Sequence, residues 1–269
     1  MSAGVASDYA QLAFHALALV PLVGPGRMDD ARYLAWARAN LGAGAIGPFL
    51  DDARLIAGRL PRPEDTSALA WLPLLHESID ALVRAARAEL PALAPSPAKR
   101  ALSAIDAVGV ELLHADLALA ARDYRSALPE VRGRCERSAS LIGEHLDQAR
   151  ALSPALRERR VEIAWALGPR GRGFAGVIFV GAPDDWSGLR PEVAAAIALH
   201  EAHVCKIGGG YFEAEWGAID ELVELTRGTA IGEAYLTWLR SLDLTPLLLQ
   251  ASLRGHPTDE LAARLGYER

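Results

Sequence analysis

The stretch "AAAIALHEAHVCKIGGG", Ala194 to Gly210, sets an alanine-rich apolar run against His200, Glu201 and His203 and closes on three glycines. Alanine and leucine favour helix, Pro191 suits a first helical turn, and the glycines end the run. The segment therefore predicts a helix built for burial that carries two imidazoles and a carboxylate. Residues advance about 100° each around a helix, so His200 and His203 lie about 60° apart on one face. Side chains three apart are neighbours on a helix surface, which is close enough for the pair to share a metal ion. Glu201 projects about 130° from the centre of that pair and is poorly aimed at anything the pair would hold.

Upstream of this helix the pattern is strand-like. "RVEIAWAL" (Arg160 to Leu167) alternates apolar positions, "GPRGRG" (Gly168 to Gly173) reads as a glycine-rich turn, and "FAGVIFVGA" (Phe174 to Ala182) is a second apolar run. Together they predict a β-hairpin or two adjacent strands. Downstream come two amphipathic helices, near Glu213–Arg227 and Thr229–Leu242, and a short helix starting at Thr258 or Asp259. From residue 1 to about 152 the spacing is helical, over Arg32–Asn40, Ala68–Leu90, Ala101–Ala121 and Arg134–Leu152, with Pro-rich breaks at Gly58–Ser67 and Leu90–Arg100. "LAFHALALVPLV" (Leu12 to Val23) reads as a buried helix ending near Pro21 rather than a signal-peptide core, since Asp8 precedes it and His15 and Pro21 interrupt it. The expected fold is predominantly α with a small β element (α+β): a helical region over 1–152 and a metal-site region over 153–269, either as two parts or as one continuous domain.

Composition limits the partners. The 269 residues are 51% apolar and 23% charged, an ordinary globular balance. A net charge of −6 supplies no basic footprint for nucleic acid, and no apolar run is long enough for a membrane span. Cys135 and Cys205 are the only cysteines, too few for a disulfide framework, so a reducing cytoplasm is the expected location.

The helix after the motif offers a third ligand. With Ile219 at the centre of its apolar face, Glu215 falls within about 40° of that centre. Glu213, Asp220, Glu221 and Glu224 project outward. A carboxylate on a core-facing stripe costs several kcal/mol unless paired or metal-bound. Glu215 is thus the preferred third ligand and Glu213 the second choice.

Strand, motif helix and following glutamate resemble the zincin superfamily, in the branch that takes its third ligand from a later helix. The motif here reads HExH, one residue shorter than HExxH. More loosely it is similar to HEXXH-motif proteins of peptide natural-product pathways. The resemblance implies that His200, His203 and Glu215 bind zinc, that Glu201 is the catalytic base, and that Phe174–Ala182 borders a cleft for a peptide or small amide substrate. The same two-His-one-carboxylate set describes a non-heme iron site, which makes peptide-modifying oxygen chemistry the alternative. A third reading is a non-catalytic peptide- or partner-binding protein on a decayed zincin scaffold.

Other groups carry weaker expectations. Glu111 and His114 have the spacing of di-iron bundles but no second copy, so His114 reads as a core histidine. His76 and His145 read as partly exposed helix polars. Arg170 and Arg172 read as a solvated turn, and Tyr211 as a potential hydrogen-bond donor near the site. Tyr235 reads as core packing on a stripe with Ile231, Trp238, Leu239 and Leu242 rather than such a donor, and Cys205 as lying on the Glu201 side, away from the His pair.

Overall fold

The computed structural model describes residues 2–19, 30–41, 122, 124–174, 176–184, 188–208 and 211–267. The described chain is mostly helical with one four-stranded sheet, an α+β fold as expected. The expected helices over Ala68–Leu90 and Ala101–Ala121, the Pro-rich breaks, His76 and His114 lie outside the described residues.

Two compact units divide the chain. One comprises Met1–Gly4, Ser138–Glu162 and Pro169–Arg269; the other comprises Val5–Arg137 and Ile163–Gly168. The division falls inside helix α3 (Leu128–Leu152), so the end of the long helical region belongs to the same unit as the motif.

In the second unit, α1 (Asp8–Leu19) and α2 (Ala31–Leu41) gather around a 3-10 turn, Trp165–Leu167. Gln11 fixes the turn by accepting from Trp165 N–H (3.1 Å) and donating to the Ile163 carbonyl (3.0 Å). Trp165 packs edge-on against Tyr33 and Trp36. His15 stacks on Tyr124 and hydrogen-bonds Tyr33 through Nδ1 (2.7 Å), and burial pushes its pKa down to about 4.

The first unit is organised around α5 (Pro191–Ile207), the motif helix. Every residue from Val193 to His203 is buried. A helix buried on all sides needs partners on all sides, and α5 has them in α4 (Pro154–Arg157), α6 (Tyr211–Leu225), α7 (Ala230–Arg240), β3 (Gly171–Phe174) and β4 (Val177–Val180). It starts with Pro191 and stops at Gly208, whose φ of 64° is readily available only to glycine. Thr229 caps α7 by accepting from Gly232 N–H (3.0 Å). The short helices α8 (Thr245–Leu253) and α9 (Asp259–Leu265) follow. α8 was not expected, because its leucine run has no helical period and leaves Leu249 and Leu253 exposed.

The sheet order is β1-β2-β4-β3, with β1 at Gly4–Val5 and β2 at Arg160–Ile163. β2 and β4 are neighbours, as the two apolar runs predicted, but the hairpin is β3–β4, antiparallel, pairing Gly171 with Val180 and Phe174 with Val177. The glycine-rich segment is therefore partly strand. Its glycines serve close approach: a Cβ on Gly171 would meet Ile197 and Glu201 at 2.7 Å, and one on Gly173 would collide with Cys205 Sγ. Leaving both positions bare lets α5 lie directly against the edge strand.

Candidate functional site

α5 sends its polar side chains in different directions. His200, 2% exposed, points toward α6 and α7. Its Nδ1 lies 2.9 Å from the Tyr235 hydroxyl and its Nε2 lies 3.0 Å from Glu215 Oε2. A neutral imidazole satisfies both when Tyr235 O–H donates to Nδ1 and Nε2–H donates to Glu215, a tautomer assigned from the network. The Trp238 ring closes the site edge-on at 5.0 Å. Burial alone would lower the His200 pKa, but the Glu215 hydrogen bond and the charges of Glu215 and Glu201 reverse this and raise it. Burial likewise works to raise Glu215, and its bond to His200 outweighs that and holds it below the usual carboxylate range.

Glu201 takes a third direction. Its Oε2 accepts from Gly173 N–H (2.9 Å), so it supplies the partner for an edge-strand amide that β4 cannot reach. Burial raises its pKa against the opposing charges of Arg172 and His200. Arg172, read from sequence as part of a solvated turn, is half-buried, and its charge acts on His200, Glu201 and Glu215.

His203, 1% exposed, faces away from this cluster. Its Nε2 lies 2.7 Å from Ser153 Oγ. Its Nδ1 lies 3.1 Å from Glu221 Oε2, within ion-pair range, although the N–H is not well enough aligned to count as a hydrogen bond. The other Glu221 oxygen accepts from Lys206 Nζ at 2.7 Å. Ser153 is the N-cap of α4, and its Oγ accepts from Ala155 N–H (3.2 Å). That leaves the hydroxyl hydrogen free to donate to Nε2, which puts the imidazole proton on Nδ1, facing Glu221. Burial lowers the His203 pKa even though Glu221 favours the charged form. The Lys206 hydrogen bond holds Glu221 low and ionised.

Ser153, His203 and Glu221 form part of the wall of a cavity of about 530 Å³. That volume lies in the range of small-molecule sites, roughly 300–1,000 Å³. Leu152, Pro154 and Leu225 supply its apolar wall.

Of the three expected metal ligands, His200 and Glu215 are together and His203 is not with them. Among the described residues no group of three or more His, Cys, Asp or Glu is placed to hold a metal ion. The expected set does not fit a metal as arranged. Glu213, the second choice, is exposed and pairs with Arg254. Tyr235 is buried against His200, and Cys205 lies by Gly173 on the Glu201 side, as expected. His145 hydrogen-bonds none of these groups, and the Tyr211 side chain lies outside the described residues.

Ser153 and Glu221 were missed. The Ser-Pro pair of "LSPALRER" signals a helix start, which Ser153 does cap, but nothing within its segment joins it to a histidine fifty positions on. Glu221 projects off the apolar face of α6, and only the crossing of α6 over α5 brings that flank to His203. No protein-family model matches the chain, and neither a curated protein nor a solved structure shows significant similarity to it.

Proposed function

We propose that the chain is a hydrolase acting on the amide or ester bond of a peptide or small amide substrate, with Ser153 as nucleophile, His203 as general base and Glu221 as the group that orients the imidazole. The observation that carries this reading is the Ser153–His203–Glu221 line in the wall of a substrate-sized cavity. A weakly acidic hydroxyl becomes a nucleophile when a neutral imidazole sits ready to take its proton, and the imidazole works best when a carboxylate fixes its tautomer. In the acylation step Ser153 Oγ bonds to the carbonyl carbon while its proton passes to His203 Nε2. The imidazolium then protonates the leaving amine or alkoxide as the carbonyl–leaving-group bond breaks. Water repeats the sequence on the acyl-serine and releases the acid. The imperfect Nδ1 alignment is compatible with this role, since catalytic hydrogen bonds often tighten only with substrate bound.

A fluorophosphonate probe tests the assignment. Intact-mass and peptide mapping are expected to find one adduct, on Ser153, that Ser153→Ala and His203→Ala both lose. An adduct that survives Ser153→Ala, or none on the wild type, overturns it. One observation favours a second reading: His200 and Glu215, two of the three expected ligands, lie 3.0 Å apart, although among the described residues no third His, Cys, Asp or Glu joins them as the side chains stand. Elemental analysis tests that one. An equivalent of zinc or iron present in wild type and Ser153→Ala but lost from His200→Ala would move the chemistry to that side of α5. If neither probe nor metal binds, a peptide- or partner-binding role is left.

A further inference from the structure

The cavity wall carries four formally charged side chains besides His203: Glu158, Arg159, Lys206 and Glu221. Lys206 and Glu221 neutralise one another at 2.7 Å. Glu158 is exposed. Arg159 is half-buried, and its guanidinium makes no ion pair with any of the described residues. Its backbone is held at both ends, by Arg159 N–H to the Leu156 carbonyl (3.3 Å) and Arg160 N–H to the Gly176 carbonyl (3.0 Å). Arg159 lines the same cavity as Ser153 and His203.

A guanidinium presents paired N–H donors that match a carboxylate. Ser153 and Arg159 flank the single turn of α4, and both line the cavity. The leaving group has to lie at His203 Nε2, which gives it a proton, so the acyl group takes the opposite wall. Pro154, Ala155 and Arg159 line the same cavity.

We propose that Arg159 makes the site selective for acyl groups that end in a carboxylate a few bonds from the scissile carbonyl, of the succinyl type. This rests on the Ser153 hydrolase reading above. The acyl chain lies against Leu152 and Pro154, its carboxylate pairs with Arg159, and the carbonyl stays at Ser153 Oγ. Glu158, exposed beside the half-buried Arg159, weakens the preference by repelling the same carboxylate.

The test compares the 4-nitroanilides of succinate and of 4-methylpentanoate, in which an isopropyl group replaces the carboxylate. Wild type is expected to favour the succinyl substrate by about tenfold or more in kcat/KM, the scale of one hydrogen-bonded charge. Arg159→Gln is expected to bring the two substrates to within about threefold of each other in kcat/KM, through loss of the succinyl rate. Arg159→Lys should keep part of the preference, and Glu158→Gln should raise it. Free succinate should also slow fluorophosphonate labelling of Ser153 in wild type and not in Arg159→Gln, a readout that needs no turnover. Equal rates on both substrates, or a preference that survives Arg159→Gln, overturn the inference while labelled Ser153 leaves the hydrolase standing. Absence of labelling at Ser153 removes the hydrolase reading and this inference with it.

Discussion

His200 and His203 leave the same helix one turn apart and are equally buried, yet they enter different surroundings. His200 is closed on every side. Tyr235 and Glu215 occupy both ring nitrogens, and Trp238 covers an edge. His203 has a carboxylate on one side, a hydroxyl on the other and a cavity beside them. The hydroxyl at Nε2 can give up its proton and bond to something else, whereas the carboxylate at the His200 Nε2 has no proton to give. Burial and hydrogen bonding do not by themselves distinguish a structural histidine from a working one. On the proposed reading, what distinguishes them is whether the partner is a nucleophile with room to react.

The largest expected effect separates the two directly. Ser153→Ala and His203→Ala should each lower kcat by on the order of 10³-fold or more, as in other hydroxyl–imidazole pairs that act as a unit. Ser153→Ala should cost stability only about 1 kcal/mol, through the lost cap of α4. Tyr235→Phe should do the opposite, leaving kcat within about threefold and costing about 1 kcal/mol of unfolding free energy. Progress curves and urea titrations on the three variants measure both. Loss of turnover in Tyr235→Phe with retention in Ser153→Ala would exchange the roles of the two histidines.

The carboxylate partners sharpen the contrast. The Glu215 side chain is 21% exposed and faces a buried ring, while that of Glu221 is 41% exposed and bound also to Lys206. Removing a partner from a buried pair strands the other member, so Glu215→Ala should destabilise by roughly 2 to 3 kcal/mol. Glu221→Ala, at a screened surface, should cost under about 1 kcal/mol. Activity should respond in the reverse order. Comparable stability losses in both variants would mean that His203 is as structural as His200.

Sequence periodicity carried much of this fold and little of this site. Helix α5 was legible because alanine content, Pro191 and the terminal glycines all point one way, and Glu215 was legible because a carboxylate on an apolar stripe has to be answered by something. The direction of each histidine was not legible. A helical projection places both on one face, but 60° of separation is enough for two crossing helices to draw them apart. The glycines of "GPRGRG" were misread for a related reason: a glycine needed for turning and one needed for close approach look alike in a sequence. Gly173→Ala tests that point and should destabilise by about 1 to 3 kcal/mol through overpacking. Cys205→Ala in the same chain should restore part of the loss, because the Cys205 thiol is the first atom a Cβ at Gly173 would meet. A double variant no better than Gly173→Ala would place the conflict at the Glu201 backbone oxygen instead, 3.0 Å from the same Cβ position.

The smallest expected effect is a shift in a pH profile, and it bears on which histidine works. A general base acts in its neutral form, so kcat/KM should fall as the imidazole gains a proton. The His203 pKa is pulled below its ordinary 6.5 by burial, whereas that of His200 is raised above the same value once the glutamates overcome burial. The acid limb of the profile should therefore lie below pH 6.5 if His203 is the base, and above it if His200 is. Glu221 favours the His203 imidazolium and Lys206 disfavours it. Glu221→Gln should accordingly move the limb further down, and Lys206→Met should move it up. Folding must be followed in parallel. A histidine whose folded pKa is depressed binds its proton more readily in the unfolded chain, so its contribution to stability is present above about pH 6.5 and fades as the pH falls toward the folded value. His15, held near 4 by burial, adds to that fading in the other unit. With rates taken only where circular dichroism shows the folded chain, opposite displacements in the two variants assign the limb to His203. Displacements of the same sign, or a limb above pH 6.5 that neither variant moves, assign it to a group that Glu221 and Lys206 do not face.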